Sequence, residues 1–151
     1  MEVEIREGVP DPDVYRDLRE RAGLTPVTAE AARRGLPNTI VGIIAVDVDA
    51  TGCDQESSTD ATAEVVGMGR IVGDDGCFYQ VVDVAVDPPH QGQGIGTRIM
   101  AALVDWLEGN APDSAYVSLV ADVEGFYERF GFAPVGPESV GMAMRLPRSA
   151  D

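Results

Sequence analysis

The sequence predicts an α/β fold of the α+β kind, a mixed central sheet of about six to seven strands with about four helices. Three observations predict it. Three β-rich apolar runs follow one another, separated by polar or turn-forming residues, as strands running up and down do. Residues 81–107, VVDVAVDPPHQGQGIGTRIMAALVDWL, then read as a buried strand, a glycine loop and an amphipathic helix. Another β-rich run comes after that helix, and a helical crossover makes it parallel to the strand before it.

Taken in order, Val3 and Ile5 alternate with Glu2, Glu4 and Arg6, the period of a short edge strand. Asp11-Pro12-Asp13 opens a helix with Val14, Tyr15, Leu18 and Ala22 on one side and Gly23 as its stop. Thr28 caps a second helix, TAEAARRG, ending at Gly35. Residues 39–48 form the second strand, and residues 49–63, small and acidic without periodicity, form a solvated loop. Residues 65–72 form the third strand, in which Gly67 and Gly69 permit close packing or a bulge. Asp74-Asp75-Gly76 turns the chain into a fourth strand over residues 77–86.

Pro88 and Pro89 stop that strand, and the glycine loop opens a helix whose apolar face carries Ile95, Ile99, Leu103 and Trp106 or Leu107. Residues 115–121 (AYVSLVA) form a fifth strand. Residues 125–132 (GFYERFGF) form a short helix, with Phe126 and Phe130 on one side, Tyr127 turned away from them, and Gly131 at the end. Residues 140–146 (VGMAMRL) alternate and read as a terminal strand. Neither repeat nor linker divides the chain, so residues 1–151 form a single domain.

Composition narrows the function. No run of about 18 apolar residues spans a membrane, and the charged N-terminus, MEVEIREG, lacks a signal-peptide core. The two cysteines, without CxxC spacing and beside one histidine, argue against a zinc site or disulfide framework, so no metal and a cytoplasmic location are expected. The chain carries 26 acidic residues against 11 basic ones, all arginine, for a net charge of −15. Such a surface repels nucleic acid and anionic lipid. With lysine absent and 44% apolar residues, the acidity reads as adaptation to molar salt and points to an extreme halophile; attraction of cationic amines is the alternative.

A glycine loop feeding a helix N-terminus presents free N–H groups at the positive end of the helix dipole, which suits phosphate. The loop has neither the Gly-Lys-Ser/Thr of a P-loop nor G-x-G-x-x-G, because Gly92, Gly94 and Gly96 are spaced by two. The match is to Q/R-x-x-G-x-G/A after V-A-V-D-P. About thirty residues later comes F-Y-x-x-x-G-F. With these two blocks the sequence resembles the GNAT superfamily of acetyl-CoA-dependent N-acetyltransferases.

That resemblance implies a sheet splayed between its fourth and fifth strands, with a bulge on the fourth. Gln91, Gly92, Gln93, Gly94, Ile95, Gly96 and Thr97 would then hold the coenzyme's pyrophosphate. The backbone of Val84, Ala85 and Val86 would bind the pantetheine arm, with an N–H near Val86 for the oxyanion. The family's tyrosine beside the thioester sulfur matches Tyr127, which becomes the general acid. Asp83, on the fourth strand, is the candidate general base, with a structural carboxylate or an ordered water as the alternatives. The loop at residues 24–27 would line the acceptor pocket. His90 reads as a solvent-exposed turn residue, and Arg98 either reaches a phosphate or stays at the surface. The resemblance implies acetyl-CoA as co-substrate, a small-molecule primary amine as acceptor and no nucleic-acid or membrane partner; dimers are frequent in that family. The runner-up is a coenzyme A-binding sensor without turnover.

Overall fold

The structure is a computed structural model describing residues 2–49 and 64–147. Most of the acidic stretch at 49–63, and with it Cys53, lies outside the described residues. The chain divides into two compact units, Met1–Leu119 and Val120–Asp151.

The first unit holds one five-stranded sheet in the order β1-β2-β3-β4-β5. Its strands are β1 (Val3–Glu7), β2 (Val41–Asp47), β3 (Glu64–Gly73), β4 (Phe78–Val86) and β5 (Tyr116–Ser118). β1 to β4 pair antiparallel in succession, and β5 joins β4 in parallel. The edge position of β1 and the parallel fifth strand follow from the period-two pattern and the helical crossover. The turn before β4 is tied by Asp74, whose Oδ1 accepts from the amides of Gly76, Cys77 and Phe78 at 3.0, 2.8 and 2.9 Å. Those bonds hold its carboxyl below the usual carboxylate range.

Among the described residues three α-helices cover the sheet: α1 (Pro12–Arg21), α2 (Ala29–Gly35) and α3 (Ile95–Asn110). α2 is capped as its sequence dictates, Thr28 Oγ1 accepting from the Ala31 amide at 3.1 Å. Successive residues of β3 point to opposite faces. Met68 packs with Tyr15 and Leu18 of α1, Ala32 of α2, Leu36 and Ala85. Gly67 and Gly69 therefore face α3, where an added Cβ would stand 3.0 Å from Ile99 Cδ1 or 2.9 Å from Ile99 Cγ2. The two glycines let α3 lie close to the sheet and bury Ile99, Met100 and Leu103 completely, each contributing roughly 1.5–3 kcal/mol. Among the described residues no helix is long and apolar enough to cross a membrane.

The second unit corrects the expectation of six to seven strands and four helices. Residues 140–146 form no strand, and Val140, Met142, Met144 and Leu146, the alternating apolar positions, are all exposed, Met142 at 92%. A period-two pattern makes a strand only when a neighbour completes the ladder; among the described residues none pairs with this segment. The expected fourth helix is a single 3₁₀ turn, Tyr127–Phe130, closed by Gly131 at φ 96°. The fifth strand is likewise shorter than residues 115–121 predict.

Candidate active site

The site is built around the second half of β4. Val82 pairs with Arg70 and Ala85 with Met68, so Asp83 and Val84 together oppose Gly69. This is a β-bulge. Asp83 takes the left-handed conformation, φ 61°, which aspartate tolerates better than bulkier residues. The β4–β5 ladder ends at Gln80 and Ser118, so β4 runs on for six more residues, Val81 to Val86, without a fifth-strand partner. The expected bulge is present, and β4 is left with an unpaired edge because β5 ends at Ser118.

The direction of the free backbone groups follows from one bond. The Asp87 amide donates to the Val66 carbonyl on the β3 side at 2.8 Å. Groups alternate along a strand, so Val84 and Val86 present theirs to the open edge, while Ala85 turns its own back to β3. In agreement, the Val86 carbonyl accepts from Gln91 Nε2 at 2.9 Å.

Beyond Val86, Pro88–His90 make a 3₁₀ turn, and Gly92 and Gly94 both take φ near +80°, at 81° and 82°. Gly94 is the N-cap of α3 and has no side-chain cap, so the amides of Ile95, Gly96 and Thr97 have no intrahelical acceptor. Nothing lies within 4 Å of where a Cβ would stand on Gly92 or Gly94. The cradle is open and lined by amides, which fits a diphosphate. The Ile95 side chain is buried and leaves only its amide to the loop. Arg98 turns away from it, Nη2 donating to the Val3 carbonyl at 3.1 Å.

Asp83 has a more elaborate setting than the sequence predicts. Its Oδ1 accepts from Arg19 Nη1. Its Oδ2 accepts from the Tyr15 hydroxyl at 2.7 Å and from Arg70 Nε at 2.8 Å. The side chains of Asp83, Arg19 and Arg70 are 9%, 11% and 11% exposed. Both guanidinium carbons lie over the Tyr15 ring, 5.5 and 5.4 Å from its centre, in cation–π range. Burial first, then the bond to Asp83 and its negative charge, push the Tyr15 phenol above its ordinary pKa.

Beside this cluster a cavity of about 180 Å³ opens between α1 and α2, lined by Tyr15, Val27, Ala32, Leu36 and Arg70 among others. Val27 belongs to the loop expected to line the acceptor pocket. Tyr15, Arg19 and Arg70 were not singled out by sequence, although each carried a signal. Arg19 follows Leu18 and lies four residues after Tyr15, within the apolar face of α1. Arg70 shares with Met68 the face of β3 that α1 covers.

His90 departs from the solvent-exposed turn residue expected. Its side chain is 13% exposed, with Nε2 3.4 Å from Asp47 and Nδ1 4.0 Å from Asp87. Asp87 is in turn paired with Arg21. The end of β2 and the end of β4 lie side by side across β3, and that register buries the imidazole between their carboxylates. Among the described residues no group of three His, Cys, Asp or Glu side chains could hold a metal. Within the second unit, Tyr127 packs edge-on against Phe126 with ring centres 4.9 Å apart. Burial, and secondarily the charge of Asp122, push its phenol above the ordinary tyrosine pKa.

Residues 31–134 match the family model described as acetyltransferase (GNAT) domain. A Staphylococcus aureus protein described as a probable acetyltransferase superimposes with a TM-score of 0.82 at 36% identity, over 95% of this chain and 99% of that one. The chloroplastic GCN5-related N-acetyltransferase 2 of Arabidopsis thaliana is 32% identical over 138 residues, 85% of this chain and 52% of its own length. The chloroplastic serotonin N-acetyltransferase 2 of Oryza sativa subsp. japonica is 36% identical over 96 residues, 62% of this chain and 47% of its own. The chain thus spans about half the length of these curated relatives. With a fourth strand bulged and unpaired beyond Gln80 and an uncapped glycine-opened helix behind that match, the chain belongs to the GNAT acetyltransferase family.

Proposed function

We propose that this chain transfers an acetyl group from acetyl-CoA to a primary amine, by direct attack within a ternary complex. One observation carries the reading: the unpaired edge of β4 runs directly into the open, amide-lined end of α3. Acetyl-CoA supplies the activated acyl carbon. Amides from Gly92 through Thr97 hold its diphosphate, whereas the expected Gln91 amide is taken by the Pro88 carbonyl at 3.2 Å, and Val84 and Val86 bond its pantetheine arm from the open edge. Ala85 contributes through packing, its side chain being in the core. The Val86 N–H faces the oxyanion, where one fixed donor is worth roughly 3 kcal/mol.

The amine nitrogen attacks the carbonyl carbon, the C–S bond breaks, and the sulfur takes a proton from Tyr127. A phenol whose pKa is raised by burial keeps that proton through neutral pH. Asp83 was the candidate base, but its two oxygens already accept from three donors. We therefore assign the amine's proton to an ordered water and give Asp83 the task of fixing the bulge that aims Val84 and Val86. The same observation favours a second reading, a coenzyme A sensor without turnover.

Calorimetric titration with acetyl-CoA, followed by thiol release with a panel of primary amines in high salt, tests the proposal. Binding with release supports it, and binding without release for any amine selects the sensor. Failure of the folded protein to bind any coenzyme A derivative removes both. The net charge of −15 is read as salt adaptation of a cytoplasmic protein from a halophile. Full folding in dilute buffer, with no gain in molar KCl, would overturn that.

A further inference from the structure

The cavity beside Asp83 is not electrically neutral. Among the described residues Arg19 and Arg70 bring two positive charges against one carboxylate, all nearly buried, and the Tyr15 phenol, its pKa raised, stays neutral. The surplus cation stands inside a protein whose net charge is −15. A nearly buried, uncompensated charge is costly unless an anion completes it.

The donors show where that anion would bind. Arg19 is spent: Nε and Nη2 donate to the Thr25 carbonyl, and Nη1 to Asp83 and the Tyr15 oxygen. Arg70 is not. Its Nε donates to Asp83 and its Nη1 to Thr39 Oγ1 at 2.6 Å, while among the described residues nothing accepts from Nη2. Arg70 and Tyr15 form the polar side of the cavity, and Val27, Ala31, Ala32 and Leu36 form an apolar one. A volume of about 180 Å³ is far more than one water needs and has room for a short aliphatic body.

We infer that the acceptor is a small aliphatic amine that also carries a carboxylate, the carboxylate binding the free edge of Arg70 and the aliphatic part filling the cavity. Guanidinium recognises carboxylate with paired donors, and does so most strongly where water is excluded. The inference rests on the acetyl-transfer reading and deepens it by naming the substrate class. The acidic surface favours cations at long range, whereas at the cavity wall the local charge is positive and selects an anion.

The test uses pairs of compounds that differ only in the carboxylate: L-valine against isobutylamine, and β-alanine against ethylamine. Each is titrated calorimetrically into the protein without coenzyme, in the salt that keeps it folded, then assayed for turnover with acetyl-CoA. The carboxylate-bearing member should bind, and its kcat/KM should exceed that of its partner at least tenfold. Arg70→Lys, which keeps a cation beside Asp83 but loses the second donor edge, should erase that preference, the urea midpoint and the acetyl-CoA titration showing whether the clamp on Asp83 survives; where it does not, the wild-type comparison of the paired compounds decides. Equal or better use of the decarboxylated amines overturns the inference and leaves acetyl transfer standing. Absence of heat with every carboxylate-bearing amine overturns it whatever acetyl-CoA does. Carboxylate binding without acetyl-CoA binding upholds the cavity assignment and sinks the transferase reading instead.

Discussion

The end of α3 and the Asp83 cluster both adjoin β4, but they are made of different materials. The first consists of amides from consecutive residues, with two left-handed glycines holding them open and no side chain required. The second consists of side chains from α1, β3 and β4, with Asp83 bonded to Tyr15 and Arg19, 68 and 64 positions away in sequence. The amide site costs the fold little, since the first N–H groups of any helix lack intrahelical partners. The side-chain site is a buried network, in which loss of a charged member leaves its partners unpaired. Damage to the first should therefore appear in binding, and damage to the second in folding.

The strongest way to break that contrast is Asp83→Ala. It strands two nearly buried guanidinium groups, and urea unfolding should show a loss of about 3–5 kcal/mol. A loss below about 1 kcal/mol would mean that the cluster is solvated and that the contrast is false. Next comes Gly94→Asp. Space around Gly94 is open, so the damage comes from charge and the left-handed backbone rather than from a clash. Acetyl-CoA binding should weaken about a thousandfold by calorimetry, with the urea midpoint little changed. Equal affinity would show that the phosphates lie elsewhere.

Tyr127→Phe carries the comparison into the second unit, where a single hydroxyl is at stake. It should lower kcat about a hundredfold with the affinity for acetyl-CoA retained; unchanged turnover would remove the assignment. The smallest effect concerns Tyr15. Its folded pKa is raised, so between the unfolded value near 10 and the folded value the unfolded chain has lost a proton that the native one keeps. Stability must then fall as pH rises from about 10. Tyr15→Phe should cost about 1 kcal/mol at neutral pH and flatten that alkaline decline in urea melts. A decline of the same slope in the variant would assign it to another group.

Much of this was legible because the signals are local. The stop at Pro88-Pro89, the loop Gln91 to Gly96 and the apolar face of α3 all lie within one window, and each acts through its own backbone or helical period. Thr28 capped its helix for the same reason. His90 was misjudged because its burial depends on where Asp47 ends a strand across the sheet. The segment at 140–146 has the period of a strand, but a period specifies faces and not a partner.

The sequence by itself determined the family, the order of elements in the sheet and the amide-lined end of α3, since glycine torsions and helix dipoles are settled by neighbouring residues. Only the tertiary structure decided that Asp83 is clamped by Arg19, Arg70 and Tyr15, and that a positively charged cavity lies beside it. The physical reason is register. One bulge in β4, opposite Gly69, puts Asp83 on the face that α1 covers, and buried charges then take the partners that this placement allows.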